Sequence, residues 1–157
     1  MKPMPEPVAD FLAGRRIVVA GVSRKPQHFA NAIFRKLHEA GYETIALNPN
    51  ADEVEGFHSY RNLAAVPGQV DGMIAAMHPR FGLDLVRQAA ERGVGRIWFH
   101  RLMGPGSASA EAVGECRAHG IRCIAGGCPM MYVEPVDPAH RCMRWLLGWN
   151  RRIRAAH

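Results

Sequence analysis

The amino-acid sequence predicts a doubly wound α/β fold, in which helices cover both faces of a mostly parallel sheet of five strands. Short apolar runs rich in β-branched residues alternate along the chain with longer segments whose apolar residues recur every three or four positions. A glycine follows several of these longer segments, where it is a natural helix stop. This alternation is typical of βαβ units, whose parallel strands are joined by right-handed crossover helices.

The predicted strands lie at residues 17–20, 44–47, 70–77, 96–99 and 121–125. The first crossover helix is predicted from Phe29, Ile33 and Leu37, which lie four positions apart and share one helix face. Outside these elements, the sequence predicts an irregular lead-in at residues 1–10, a helical turn at 11–14, a brief extended piece at 57–60 and a tail helix at about 137–150.

Length and composition indicate one domain spanning residues 1–157, with its core in residues 11–130. The net charge of +6 suits an anionic partner. The four cysteines form no C-x-x-C pair, which favours a reducing, cytoplasmic setting. No apolar run reaches the length of a membrane span, so no membrane association is predicted.

The turn after the first strand is the strongest candidate for a binding site. Gly21 ends the strand, and the helix N-terminus that follows would direct free N–H groups and positive dipole at one spot. Ser23 can add a hydroxyl there, and Arg24 and Lys25 can add positive charge. The three-glycine dinucleotide fingerprint is incomplete, because Ser23 and Pro26 stand in the second and third glycine positions. The segment therefore predicts a phosphate cradle, with a plain tight turn as the alternative.

Ligands of doubly wound sheets bind beyond the carboxyl ends of the strands, where the strand order reverses. The loops expected there are 21–25, 48–50, 78–80, 100–103 and 126–130. An NAD site usually has an acidic residue after the second strand, but this chain has Asn48-Pro49. A carboxylate would repel the 3′-phosphate of CoA, whereas Asn48 would not. The alternative is that Asn-Pro only forms a turn.

Motifs along the chain, in their order and spacing, resemble those of the small stand-alone CoA-binding proteins, which are similar to the nucleotide-binding domain of the succinyl-CoA synthetase α subunit. The motifs are Val19-Ala-Gly-Val-Ser-Arg-Lys-Pro26, Gly41-Tyr42, Leu47-Asn-Pro49, Gly56, Leu63-Ala-Ala-Val-Pro67, Val70-Asp71, Ile97-Trp98 and Cys128-Pro129. The resemblance spans roughly residues 11–129. It implies a Rossmann-like fold that binds CoA or an acyl-CoA and has no catalytic machinery of its own.

The resemblance also implies a set of ligand-binding positions. Together with the loop argument, it gives these cofactor-binding candidates: Gly21, Val22, Ser23, Arg24, Lys25, Asn48, Pro49, His78, Pro79, Arg80, Cys128 and Pro129. The chain departs from the family pattern at Met77-His-Pro-Arg80, where a phenylalanine-arginine pair is usual, and at His100-Arg-Leu102, where glutamine-leucine-glycine is common. No catalytic residue can be assigned.

Metal binding is disfavoured, because the cysteines and histidines of the second half of the chain are scattered over a helix, a strand and loops. Cys116 and Cys123 are interpreted as small core residues, and Cys128 as a packed thiol. In the tail, Asp137-Pro138 predicts a helix start. An apolar stripe follows at Cys142, Trp145, Leu146 and Trp149, with arginines around it. We expect this stripe to cover the sheet or a second subunit, which leaves a homodimer open.

The sequence thus predicts a small-molecule nucleotide ligand, CoA or acyl-CoA, bound without catalysis. One alternative is an NAD(P)-dependent oxidoreductase, although no second domain is left to hold a substrate. The other is an interaction scaffold that uses its basic C-terminal helix. Nucleic acid is disfavoured as a partner, because no DNA- or RNA-binding motif is present.

Overall fold

The structure, a computed structural model, describes residues 3–155. Its strands are β1 (Arg16–Ala20), β2 (Glu43–Leu47), β3 (Glu53–Val54), β4 (Phe57–Tyr60), β5 (Gly72–Ala75), β6 (Arg96–Phe99) and β7 (Arg122–Ala125). Its α-helices are α1 (Glu6–Leu12), α2 (Phe29–Glu39), α3 (Gly82–Glu91), α4 (Ala110–Ala118), α5 (Pro138–Leu146) and α6 (Trp149–Ala155). Short 3₁₀ turns lie at Leu63–Ala65, Pro79–Phe81 and Pro129–Met131.

All strands form one sheet in the order β3-β4-β2-β1-β5-β6-β7. Every neighbouring pair is parallel except β3 and β4 at one edge. After β2 the chain moves outward to β4 and then returns to the other side of β1 to form β5. The strand order therefore reverses between β1 and β5.

Side chains alternate along β1 and fill two separate cores. Ile17 and Val19 pack in one core with α1, α2 and α6, whereas Val18 and Ala20 pack in the other with α3 and α4. Continuous burial of these strand residues is what a parallel sheet covered on both faces requires. The predicted doubly wound, Rossmann-like α/β class is confirmed.

Helix α2 buries Ile33 and Leu37 as predicted, but Phe29 is not part of its buried face. His28 caps its N-terminus, and its buried apolar residues are Ala30, Ile33, Phe34 and Leu37. Phe29 is 42% exposed and does not belong to this face. The four-residue spacing was misleading only for Phe29, because a side chain in the first turn of a helix can point outward over the neighbouring loop.

The predicted strand count was wrong, since the sheet has seven strands and not five. The two additional strands, β3 and β4, form a short antiparallel hairpin at the edge, where Val54 and Ser59 are the buried residues. The extended piece predicted at residues 57–60 is β4. The irregular lead-in predicted at residues 1–10 was also wrong from Glu6 onward, where α1 begins; Met1 and Lys2 lie outside the described residues. Pro7 fits the first turn of α1, because the N–H that proline lacks has no partner there.

The tail contains two helices in place of the predicted one. As expected, Asp137 caps α5, and its side chain accepts a hydrogen bond from the His140 N–H at 3.0 Å. The chain turns at Gly148, where φ is +61°, and α6 follows. Trp149 of α6 packs on Gly126, where a Cβ atom would come within 2.6 Å of the indole ring. The tail is therefore anchored through α6, at the carboxyl end of β7.

Candidate functional site

The predicted loops at the carboxyl edge of the sheet meet one another through direct contacts. The side-chain amide of Asn48, after β2, donates to the carbonyl of Val22, after β1, at 2.8 Å. Gly21 adopts φ +106° and lies against the carbonyl of Ala76, where a Cβ atom would come within 2.3 Å of the oxygen. The loops after β2, β1 and β5 are thus locked together at the point where the strand order reverses.

The remaining loops join the same edge. The backbone N–H of Met77, after β5, donates to the hydroxyl of buried Ser107, at 3.1 Å. Arg101, after β6, donates its N–H to the carbonyl of Gly127, after β7, at 2.8 Å. The sequence-predicted grouping of these five loops therefore corresponds to one continuous edge of the structure.

A buried asparagine holds the β1–α2 loop. Asn31 is fully buried on α2; its side chain accepts from the N–H of Ser23 at 2.9 Å and donates to the carbonyl of the same residue at 2.7 Å. It also donates to the carboxylate of Glu55 at 2.7 Å. Because both backbone groups of Ser23 bind one side chain, the conformation of the loop is fixed by α2.

Glu55 connects this loop to the edge hairpin. Arg35 donates to the Glu55 carboxylate at 2.6 Å and to the carbonyl of Pro26 at 3.2 Å. The hydrogen bond from Asn31 and then the bond and charge of Arg35 lower the pKa of Glu55, against the opposing effect of burial. The carboxylate is therefore ionised at neutral pH and is satisfied by its two partners.

The same loop presents two cations to solvent. Arg24 and Lys25 are exposed, and within residues 3–155 neither side chain has a hydrogen-bond or ion-pair partner. The hydroxyl of Ser23 accepts from the N–H of Lys25 at 3.1 Å, which keeps the turn tight. A rigid turn with two uncompensated cations can attract and orient an anionic group.

Three aromatic rings stack across the edge beside this turn. The ring of Phe29 lies 4.4 Å from that of His28 and 4.7 Å from that of His100, which follows β6. Burial, and secondarily the charges of His140 and His28, lower the pKa of His100 to about 4. His100 is thus neutral at pH 7 and supplies an aromatic surface without charge.

The other predicted positions fall into exposed and buried groups. His78 is exposed, and its Nδ1 accepts from the N–H of Arg80 at 3.2 Å, which caps the 3₁₀ turn that includes Pro79. The Arg80 guanidinium is exposed and lies 4.6 Å from the centre of the Phe81 ring. The loop after β5 therefore adds a third exposed cation to the edge.

Cys128 and Pro129, after β7, are buried, whereas Pro49, after β2, is exposed. Burial raises the pKa of the Cys128 thiol to about 12, so the sulfur is protonated at neutral pH and is a poor nucleophile. Cys116 is buried and Cys123 half-buried in the core on the other face of the sheet, with α3 and α4. Within residues 3–155, no three His, Cys, Asp or Glu side chains form a group that could hold a metal ion.

Sequence reasoning missed Asn31, Arg35, Glu55 and the ring stack. A polar residue beside the apolar positions of α2 was the available signal for Asn31, because a buried amide needs hydrogen-bond partners. Nothing local marked Glu55, which lies 24 residues from Asn31 in sequence and reaches it only through the fold.

Away from this edge, a cavity of about 300 Å³ lies between the helices α1 and α4 and the strands β6 and β7. Asp10 lines this cavity and accepts hydrogen bonds from Arg96 at 2.8 and 3.0 Å. It also forms an ion pair with Arg122 at 3.1 Å. The Arg96 hydrogen bonds contribute most to lowering the pKa of Asp10 to about 2. Asp10, Arg96 and Arg122 thus form a partly exposed ion-pair network that joins α1 to the sheet.

The doubly wound sheet and its linked carboxyl-edge loops define a Rossmann-like α/β protein. The chain belongs to the CoA binding domain family, whose model matches residues 15–134. Over 85 residues, 54% of the chain, it is 29% identical to the α subunit of an ADP-forming acetate–CoA ligase from Pyrococcus furiosus, and the match spans only 19% of that subunit.

Solved structures show the same fold. A conserved hypothetical protein from Pyrococcus furiosus is 32% identical and superimposes with a TM-score of 0.64, over 73% of this chain and 94% of that one. A hypothetical protein from Pyrococcus horikoshii has the same fold, with a TM-score of 0.74 at 24% identity over 87% of this chain and 98% of that one. In the described part of the chain, no helix has both the length and the hydropathy of a membrane-spanning segment.

Proposed function

We propose that the chain binds CoA or an acyl-CoA at the carboxyl edge of the sheet and does not catalyse its chemistry. The observation that carries this proposal is the β1–α2 turn of a CoA binding domain, fixed by Asn31 and presenting Arg24 and Lys25 to solvent. In this arrangement the pyrophosphate would lie at the turn. Arg80 would contribute from the neighbouring loop.

The end of β2 supports selectivity for CoA over NAD. Asn48 uses its amide N–H on the Val22 carbonyl and its oxygen on the Asn50 N–H, at 2.8 Å each, so it shapes the loop and carries no charge. The nearby acid, Asp52, is paired with Arg61 at 3.3 Å. A 3′-phosphate near this loop would meet no unpaired carboxylate from these residues, whereas the ribose of NAD would lack its usual acceptor.

The state of the reactive side chains supports a binding role. Catalytic thiols and imidazoles need pKa values near neutrality. Cys128 has a strongly raised pKa and His100 a strongly lowered one, and burial is the largest cause of both shifts. Both groups are therefore held in their neutral forms and would package a ligand without transferring its protons.

Titration calorimetry with CoA, acetyl-CoA, dephospho-CoA, NAD and NADP tests the proposal. We expect CoA to bind more tightly than dephospho-CoA, and both more tightly than NAD. Equal affinity for CoA and dephospho-CoA together with tight binding of NAD would instead favour the oxidoreductase alternative.

A charge-reversal variant tests the location of the site. Arg24→Glu combined with Lys25→Glu should weaken CoA binding by roughly tenfold or more, because charge-assisted contacts to phosphate are replaced by repulsion. Both side chains are exposed, so the melting temperature should change little. Arg87→Ala, at an exposed α3 position paired with Glu115, is the matched control and should bind normally. Unchanged affinity in the folded charge-reversal variant would remove this turn from the site.

A further inference from the structure

Helix α5 has an apolar outer face that the rest of the described chain leaves uncovered. None of its residues is fully buried. Its inner side is half-buried and packs Met143 against the core. Cys142, Trp145 and Leu146 lie on the outer side at positions i, i+3 and i+4. Trp145 is 78% exposed and Leu146 is 66% exposed. These three residues, together with Arg141 and Arg151 beside them, form what we call the α5 face.

A groove of about 870 Å³ runs along this face. Its lining residues are Pro138, Arg141, Cys142, Arg144, Trp145, Gly148, Asn150 and Arg151. Three of them are arginines and none is acidic. From residue 138 to residue 155 the chain contains no Asp or Glu at all. The groove is therefore apolar at its centre and positively charged along its rim.

Two of the three rim arginines, Arg141 and Arg144, are held in place by contacts within the chain. Arg141 donates to the carbonyl of Val136 at 3.3 Å, and Arg144 donates to the carbonyl of Met131 at 3.0 Å while its guanidinium lies 5.3 Å from the centre of the Tyr132 ring. Since the contact of Arg141 is to a neutral carbonyl group, it fixes the position of that charge without neutralising it. A partner would meet a preformed basic rim.

The α5 face lies outside the part of the chain that defines its family, which ends at residue 134. A second copy of this chain is a poor occupant, because two-fold pairing of this face would place the rim arginines against each other with no carboxylate from residues 138–155 between them. A small ligand would leave most of Trp145 and Leu146 in water. Nucleic acid would gain little from Leu146 and Cys142, which offer bases no stacking surface.

Charge and shape together favour a protein segment. We propose that the α5 face docks an acidic amphipathic segment of another protein, which places a large apolar side chain beside Trp145 and its carboxylates on Arg141 and Arg151. Exposed tryptophan and arginine are the residue types that most often dominate binding energy at protein interfaces. The carboxylate–arginine pairs at the rim would set specificity and make the association sensitive to salt.

Selection from a random peptide display library tests the proposal, with the full-length protein as bait. We expect the enriched peptides to combine acidic residues with large apolar ones. The best of them should bind Trp145→Ala and the double variant Arg141→Ala/Arg151→Ala roughly tenfold or more weakly than the unmodified protein. Phe57→Ala, at another exposed aromatic position on β4, is the control and should bind normally. Because the substituted side chains of the α5 face are exposed, those variants should keep the melting temperature of the unmodified protein. Phe57→Ala loses ring contacts with Phe34 and His38, so it serves as a control for binding only.

Other outcomes would overturn the inference. Enriched peptides without acidic residues, or with equal affinity for the Trp145→Ala variant, would contradict it. Light scattering that shows a dimer dissociated by Trp145→Ala would assign the face to a second copy. Binding of single-stranded RNA, or of vesicles containing phosphatidylserine, that is lost in the same variant would assign it to those partners. CoA affinity should be the same in all these variants, so failure of this inference is distinguishable from failure of the proposed ligand site.

Discussion

Replacing Asn31 with alanine is the sharpest test of how the structure builds its candidate site. The substitution removes three hydrogen bonds at once, two to the backbone of Ser23 and one to the Glu55 carboxylate. It leaves the backbone N–H of half-buried Ser23 without its partner. Glu55 keeps Arg35, so the carboxylate does not become an unpaired charge.

The expected cost follows from these contacts. A neutral hydrogen bond contributes about 1 kcal/mol net, and one to a charged group about 1.5–3 kcal/mol. The three bonds share one side chain, and water can reach the vacated space, so their losses do not add fully. We expect Asn31→Ala to lower the free energy of unfolding by about 2–4 kcal/mol. We also expect it to weaken CoA binding, because the turn that carries Arg24 and Lys25 is no longer fixed.

Urea denaturation and calorimetry with CoA measure the two effects. Asn62→Ala is a suitable control, since Asn62 also hydrogen-bonds a backbone N–H but is exposed at the start of a 3₁₀ turn, and its loss should cost about 1 kcal/mol or less. An Asn31→Ala protein with the stability of the Asn62→Ala protein and unchanged CoA affinity would refute the view that Asn31 organises the loop.

Three further predictions follow from the packing. Asp10 has a folded-state pKa of about 2 against an ordinary value of 3.8. The stability that its ion pairs contribute should therefore be present above about pH 4 and be lost as the pH falls toward 2. The Asp10→Asn protein lacks this contribution at every pH, so in thermal melts its stability should fall by about 1 kcal/mol less than that of the unmodified protein over the same pH range. Gly21→Val should fail to fold or should melt at a far lower temperature, because its side chain would clash with the Ala76 carbonyl. Thermal melting of this variant therefore tests the folding role of Gly21, separately from any role in CoA binding. Deleting the chain from Asp137 onward should lower the melting temperature by exposing the surface that Trp149 covers, and thermal melts would show this directly.

The elements that sequence predicted well are those with a long local signal. Strands β1, β5 and β6 are buried along nearly their whole length, so they appear in the sequence as continuous apolar runs. Strands β2 and β7 are covered less completely, but each contains a short apolar segment that the sequence shows. The helices α2 and α3 are 11 and 10 residues long, and each has one apolar face. The hairpin of β3 and β4 lacks such a signal, because it lies at the sheet edge and most of its side chains are exposed.

The candidate site, too, has features that the sequence predicts and features that it does not. The topology of a doubly wound sheet brings the loops after its strands to one edge, so the grouping of the loops followed from the predicted fold. The residues that fix those loops could not be predicted in this way. Asn31, Glu55 and Ser107 act through contacts between segments that are distant in sequence. Gly21 illustrates the difference: sequence indicated that a glycine was needed, but the structure shows that the Ala76 carbonyl already requires it.

The tail shows how one backbone turn redistributes an apolar stripe. At helical spacing, Cys142, Trp145, Leu146 and Trp149 share a face, and so much apolar surface should be covered. The positive φ at Gly148 ends that regular spacing. As a result Trp149 packs on Gly126 at the carboxyl edge, while Trp145 remains in solvent on α5. Of the predicted stripe, the described part of the chain covers Trp149 and leaves Trp145 and Leu146 exposed. The turn at Gly148 thus leaves the apolar surface of α5 exposed. A partner that covered this surface would gain the most from binding there.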